Sequence, residues 1–281
     1  MGKIKQWFCG QKMSWLKVIL LAVGSAVYTA VMLLLPPLKD TSFQDIGVYL
    51  ECWILLALFI IVNCKKWWEA MLKCFVFFLI SQPLIYLLQV PFYIDGFGIF
   101  RFYKSWFNMT LLTLPGAVIA YQVKRKDWLS VLVLSVANGY LAYQAVTYLR
   151  MTIGNFPHHL LSFLFCIALI VFFTFLLLDK GSHRATALVL AAGIFAGTVC
   201  ICGIGLKKET EEITLPTGEW TVTIDDETVA SVEITGDTTA DITAKKNGDT
   251  FLTFEAADGQ SVEYYVTVNN GNLFLDEMDA E

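Results

Sequence analysis

The pattern of apolar and polar positions changes character once along this chain, close to residue 205. Before that point, apolar residues come in runs of about 17–22, separated by short polar breaks. The runs cover residues 18–35, 46–63, 70–90, 107–123, 128–149, 160–178 and 185–204. A helix needs about 20 apolar residues to cross a bilayer core of ~30 Å. The pattern therefore predicts seven transmembrane helices. The fourth run is short and interrupted by Pro115-Gly116, so a re-entrant segment would produce the same pattern. The first run, at 18 residues, is longer than the core of a signal peptide and has no small-x-small site after it. It is read as an uncleaved first span ending at Pro36-Pro37.

After residue 212 the apolar period becomes two. Trp220, Val222 and Ile224 alternate with polar residues, as do Ala240, Ile242 and Ala244, and then Val262, Tyr264, Val266 and Val268. Turn signals separate these runs: Asp225-Asp226, Thr235-Gly236-Asp237, Asn247-Gly248-Asp249 and Asp258-Gly259. Short alternating strands at this spacing predict a small all-β sandwich. The expected divisions are 1–205 (membrane domain), 206–212 (linker), 213–270 (β domain) and 271–281 (acidic tail).

The β stretch, residues 212–270, resembles the group 2 bacterial immunoglobulin-like domains. The residues that carry the resemblance are Trp220, Asp226 with Val229-Ala230-Ser231-Val232, Thr243-Ala244-Lys245-Lys246-Asn247-Gly248, and Val266-Thr267-Val268. The segment Thr235–Ala240 departs from it, standing where a tight glycine turn is usual. The resemblance implies an immunoglobulin-like sandwich on a bacterial cell surface, with a spacer or binding role and no catalytic residues.

Charge fixes an orientation. Residues 1–205 carry a net +9 and residues 206–281 a net −14, so the two parts belong in different surroundings. With the N-terminus inside, the inner segments hold twelve basic residues: Lys3, Lys5, Lys12, Lys17, Lys65, Lys66, Lys73, Lys124, Arg125, Lys126, Lys180 and Arg184. The outer loops hold four: Lys39, Arg101, Lys104 and Arg150. Basic residues stay on the cytoplasmic side. Seven crossings then predict a multi-pass protein of a bacterial plasma membrane, its C-terminal domain extracytoplasmic. The basic residues lie in loops, which excludes a nucleic-acid patch.

The sequence contains no H-E-x-x-H, G-x-S-x-G or P-loop, and no lysine in the seventh span. His158 and His159 fall at an outer loop edge and His183 in an inner loop, so no metal or cofactor is expected. Cys200 and Cys202 sit at i and i+2, on different helix faces, and read as apolar filler. Gly193 and Gly197 form a GxxxG, which allows close helix approach. Packing within the bundle is one reading and a homodimer through span seven the other. Polar and aromatic residues share faces in three outer half-spans. They are Glu51, then Gln82, Tyr86 and Gln89, then Tyr140, Gln144 and Tyr148. Polar groups within a span face the bundle interior or water. Either these seven line an outward pocket for hydroxyl-rich ligands, or they make ordinary interhelical hydrogen bonds.

The leading expectation is a membrane protein that presents its outer domain to a surface protein or wall polymer. A transporter, channel or transporter accessory using the Glu51 pocket is the alternative. An intramembrane enzyme acting on a lipid-linked substrate comes third, because a nucleophile or acid–base pair is lacking.

Overall fold

The structure is a computed structural model. It describes all residues except 1, 39, 40, 94, 95, 155, 204–208, 217, 237, 247, 258, 259, 270, 271 and 279–281. Lys39, the Asp258-Gly259 turn and parts of the expected linker and tail therefore lie outside the described residues. The chain divides into two compact units, residues 1–148 with 158–202 and residues 149–157 with 203–281.

The first unit is helical. Among the described residues its helices are α1 (Gly2–Cys9), α2 (Trp15–Leu34), α3 (Ser42–Val48), α4 (Leu50–Val62), α5 (Trp67–Gln89), α6 (Tyr103–Tyr121), α7 (Trp128–Gly154, of which residues 149–154 belong to the second unit), α8 (Leu160–Leu177) and α9 (Gly181–Cys202). Local chemistry sets several boundaries. Ser14 caps α2 by accepting from the Lys17 amide at 3.3 Å, and Pro36-Pro37 follow its end. Lys126 adopts a left-handed backbone, φ 60°, after α6. Asp127 then accepts from the Ser130 amide at 3.2 Å as α7 begins.

Among the described residues, five helices are long and apolar enough to cross a membrane: Trp15–Leu34, Trp67–Phe92, Trp128–Gly154, Leu160–Leu177 and Gly181–Cys202. The predicted second span is broken at Tyr49 into α3 and α4, bent by 45°, and makes a sixth if the pair is counted as one. Helix α6, the predicted fourth span, is not among them.

The core on the α2 side is built on small residues. Val18, Ala22 and Ala26 recur every four residues and are fully buried, so α2 lies close against α5. Trp53, Ile60, Cys74 and Phe77 fill the same core.

Among the described residues the second unit contains seven strands: β1 (Thr210–Thr214), β2 (Trp220–Ile224), β3 (Ala230–Ile234), β4 (Thr239–Ala244), β5 (Gly248–Ala256), β6 (Ser261–Asn269) and β7 (Asn272–Met278). All pairings are antiparallel, in two sheets of order β1-β4-β3 and β2-β5-β6-β7. One apolar core takes residues from both, including Ile213, Ala230, Ile242, Leu252, Phe254, Val266 and Leu273. This is the arrangement of a β-sandwich. Two boundaries differ from the sequence reading. Strand β1 begins inside the expected linker, and the expected tail contains β7, whose Leu273 and Leu275 pack on the core. Its carboxylates hid that alternation. Trp220 is half-buried, its indole donating to the Pro216 carbonyl at 2.7 Å.

Gly248 shows why the fold needs a glycine in that turn. Its φ is 155°, and a Cβ there would lie 2.9 Å from Val229 Cγ2. The Val229 carbonyl also accepts from the Lys245 and Lys246 amides at 2.8 and 3.1 Å. The turn is thus pressed against the start of β3.

Candidate functional site

The helical unit has a basic end stitched by hydrogen bonds. Lys5 and Lys126 both reach Asp179, at 2.5 and 2.6 Å, and together hold its carboxyl down at about 2. The Lys124 ammonium donates to the Cys64 carbonyl and the Tyr121 hydroxyl to the Lys65 carbonyl, both at 2.5 Å. Asn63 donates to the Phe8 carbonyl at 2.6 Å and accepts from the Gln11 amide at 2.8 Å. Lys73 is buried and bonds the Met13 carbonyl and Glu69.

The polar residues predicted to form one pocket separate into two groups. Glu51, 1% exposed, accepts from Gln144 Nε2 at 3.0 Å. The Tyr148 hydroxyl sits beside the same carboxylate, and Tyr140 lies within range of its charge. Glu51 Oε2 is buried with no hydrogen-bond partner among the described residues. Gln82, Tyr86 and Gln89 lie elsewhere, around a partly open cavity of about 320 Å³ bordered also by Thr29, Trp53 and Trp106. Gln82, Tyr86 and Gln89, which the sequence spacing puts on one helix face, border this one cavity. The spacing could not reveal that Trp53, packed on Phe77 and Phe78, fills the space on the α4 side of α5. A second cavity of about 650 Å³, between α4, α5, α6 and α7, is almost wholly apolar, with Tyr140 at its wall.

Next to the Glu51 group lies a network that the sequence reading missed. Asp45 on α3 is 5% exposed. Its Oδ2 accepts from His159 Nδ1 at 2.8 Å and from Ser162 Oγ at 2.7 Å. The Ser42 amide and hydroxyl both donate to the His158 carbonyl, at 2.8 and 2.7 Å, and Ser42 Oγ accepts from the Ser162 amide at 3.2 Å. His159, taken from sequence as a loop-edge residue without a role, is 3% exposed, and its Nε2 has no partner among the described residues. The available signal was Asp45 four residues after Thr41 at a span start, with Ser162 three residues after His159. Those spacings put Asp45 in the first turn of α3, and His159 and Ser162 on one face. A further buried pair, Asn138 Nδ2 donating to Thr174 Oγ1 at 3.0 Å, joins α7 to α8.

Among the described residues, Gly193 and Gly197 have nothing within 4 Å of where a Cβ would sit, so none of those residues requires a glycine there. Cys200 and Cys202 are exposed on the same helix. Among the described residues no three of His, Cys, Asp and Glu are arranged to hold a metal ion.

In comparisons with known proteins, no family model, no curated protein and no solved structure matches this chain.

Proposed function

We propose that this chain is a multi-pass protein of a bacterial plasma membrane that displays its β domain outside the cell, where it docks a surface protein. Seven crossings are supported by the ends of α6. Tyr103 packs on Tyr86 at one end of α5, ring centroids 6.0 Å apart. Tyr121 bonds Lys65, next to the other end of α5. Nineteen residues span roughly 28 Å at 1.5 Å per residue, enough for a bilayer core. The stitched basic end favours a cytoplasmic placement for that end. An odd number of crossings from an inside N-terminus then puts residues 206–281 outside. The glycine requirement at Gly248 supports the resemblance to group 2 immunoglobulin-like domains.

One observation carries the docking reading. On the outer face of the four-stranded sheet, Phe251 packs against Tyr265 with centroids 5.1 Å apart and the rings tilted by 51°. Phe274 stands one diagonal step away on β7. Phe251 and Phe274 are 43% and 55% exposed. The exposed carboxylates of Asp249, Glu255, Glu263 and Asp276 lie on the same face. Exposed apolar patches with polar rims mark interaction sites. The carboxylate rim and the net charge of −14 favour a basic protein surface over an anionic wall polymer. The buried Asp45 and Glu51 groups favour display over transport, because neither borders the two cavities described above.

The test places a cysteine at Glu255 in a background with Cys200 and Cys202 replaced by Ala. A membrane-impermeant maleimide should label it on intact cells. A short cysteine–amine cross-linker there should give a protein adduct that Phe251→Ser and Phe274→Ser abolish. Labelling only after lysis would overturn the orientation. Labelling without any adduct would overturn the docking reading alone.

A further inference from the structure

We infer that the cavity between α2, α5 and α6 is a binding site for an uncharged, hydroxyl-bearing ring of monosaccharide size, carried as the headgroup of a membrane amphiphile. This rests on the helical unit alone and does not depend on which side of the membrane the cavity faces. Its volume, about 320 Å³, is at the small end of ligand pockets, which run from ~300 to 1,000 Å³. That admits a ring-sized group and not a whole lipid. Among the described residues no Asp, Glu, Lys or Arg lines it. An anionic or cationic head would enter without a counter-charge, at a large desolvation cost.

The walls suit a sugar-like ring. Trp53, Tyr86, Phe102 and Trp106 offer aromatic surface. A hydroxylated ring has apolar C–H faces that pack on such surface, with hydroxyls around its edge for polar partners. Gln82 supplies the polar partner. It is 95% buried, lines the cavity, and its carboxamide has no hydrogen-bond partner among the described residues. A carboxamide carries two N–H donors and a carbonyl acceptor, the complement of adjacent hydroxyls. The polar atoms of Gln82 are not sealed off from the cavity that the residue lines, so its carboxamide is free to meet a ligand there. Gln89 already donates to the Ile85 carbonyl at 3.0 Å, which leaves its oxygen to accept.

The position argues for a headgroup. Leu33 and Gln89 lie at the last turns of α2 and α5, and Trp106 in the first turn of α6. These are span ends, where aromatic rings meet the headgroup layer. A bound ring would occupy the cavity while its tails stay in the bilayer.

The experiment uses the full chain in phosphatidylcholine nanodiscs and follows tryptophan emission, since Trp53 and Trp106 border the cavity. Adding monoglucosyl diacylglycerol should give a saturable change, and the same fraction of phosphatidylglycerol should not. Gln82→Leu, of similar volume, should weaken the response by roughly tenfold. If Gln82→Leu does not fold, Trp106→Leu, at a half-buried position, carries the same expectation. Free methyl glucoside is the second arm. A response to the glycolipid but not to the free glycoside supports the headgroup, and equal responses support the same site with a free sugar. No saturable response to either would overturn the site. So would an equal response to phosphatidylglycerol, or an unchanged affinity in a folded Gln82→Leu protein.

Discussion

Replacing Asp45 by Ala tests whether the buried network between α3 and α8 holds the bundle together. The substitution removes the one oxygen that takes both His159 Nδ1 and Ser162 Oγ. Both donors are nearly inaccessible, at 3% and 1% exposed, so water cannot replace the carboxylate. Each orphaned donor costs about 1–3 kcal/mol, and breaking a buried pair typically costs ~3–5 kcal/mol. The expected loss is therefore about 4 kcal/mol. Ser162→Ala removes one bond and leaves the His159–Asp45 contact, so it should cost only about 1–2 kcal/mol. The two effects should not add. Once Asp45 is gone, Ser162 has lost its acceptor, and a coupling of at least ~0.5 kcal/mol is expected. Unfolding free energies in mixed micelles, for both single variants and the double, measure all these quantities. An Asp45→Ala protein within ~0.5 kcal/mol of the parent, or strict additivity in the double variant, would refute the clamp.

Three other outcomes are expected. Asp179→Asn should destabilise by less than ~1 kcal/mol at neutral pH, because the Lys5 and Lys126 pairs are about 40–60% exposed or nearly so and screened by solvent. The folded carboxyl is depressed to about 2, so this contribution is present above the ordinary carboxyl pKa and fades as pH falls from about 4 towards 2; a stability difference that grows on acidification would contradict it. Gly248→Ala should cost about 1–3 kcal/mol by crowding Val229, read as faster limited proteolysis of the β domain in the full chain. Gly193→Leu with Gly197→Leu should leave the thermal midpoint of the solubilised monomer unchanged, since both positions open onto free space. If span seven mediates a homodimer, the same pair should abolish self-association in sedimentation; a lowered monomer midpoint would instead mean packing within the bundle.

Period and run length made the architecture legible. A run of apolar residues needs only its own hydrogen bonds to be a helix, and alternation needs only a core on one side. The break at Tyr49 was not legible, because residues 46–63 are continuously apolar enough to conceal a bend of 45°. The polar site was half legible. Spacing within one helix puts Gln82, Tyr86 and Gln89 on one face, but which helix that face meets depends on packing over long sequence distances. Asp45 and His159 are 114 residues apart, and nothing local joins them. Strand β7 was lost to its own carboxylates, although Leu273 and Leu275 keep the period.

Helix α6 has a consequence for biosynthesis. It is 19 residues long, carries Pro115 within it, and is less apolar than the other long helices. A segment of that kind partitions poorly from an insertion channel into lipid when it emerges alone. Its immediate predecessor, α5, is long and apolar. The Thr110 and Thr113 hydroxyls donate to backbone carbonyls of α6 itself, at 3.0 and 2.6 Å, so they enter lipid already satisfied. The two helices would then leave the channel as a hairpin, with Lys124, Arg125 and Lys126 anchoring the returning end behind them. Lengthening the 90–102 connection would separate the pair in time during synthesis and leave α6 uninserted, a topological error set by the length of a connection rather than by any bond within the fold.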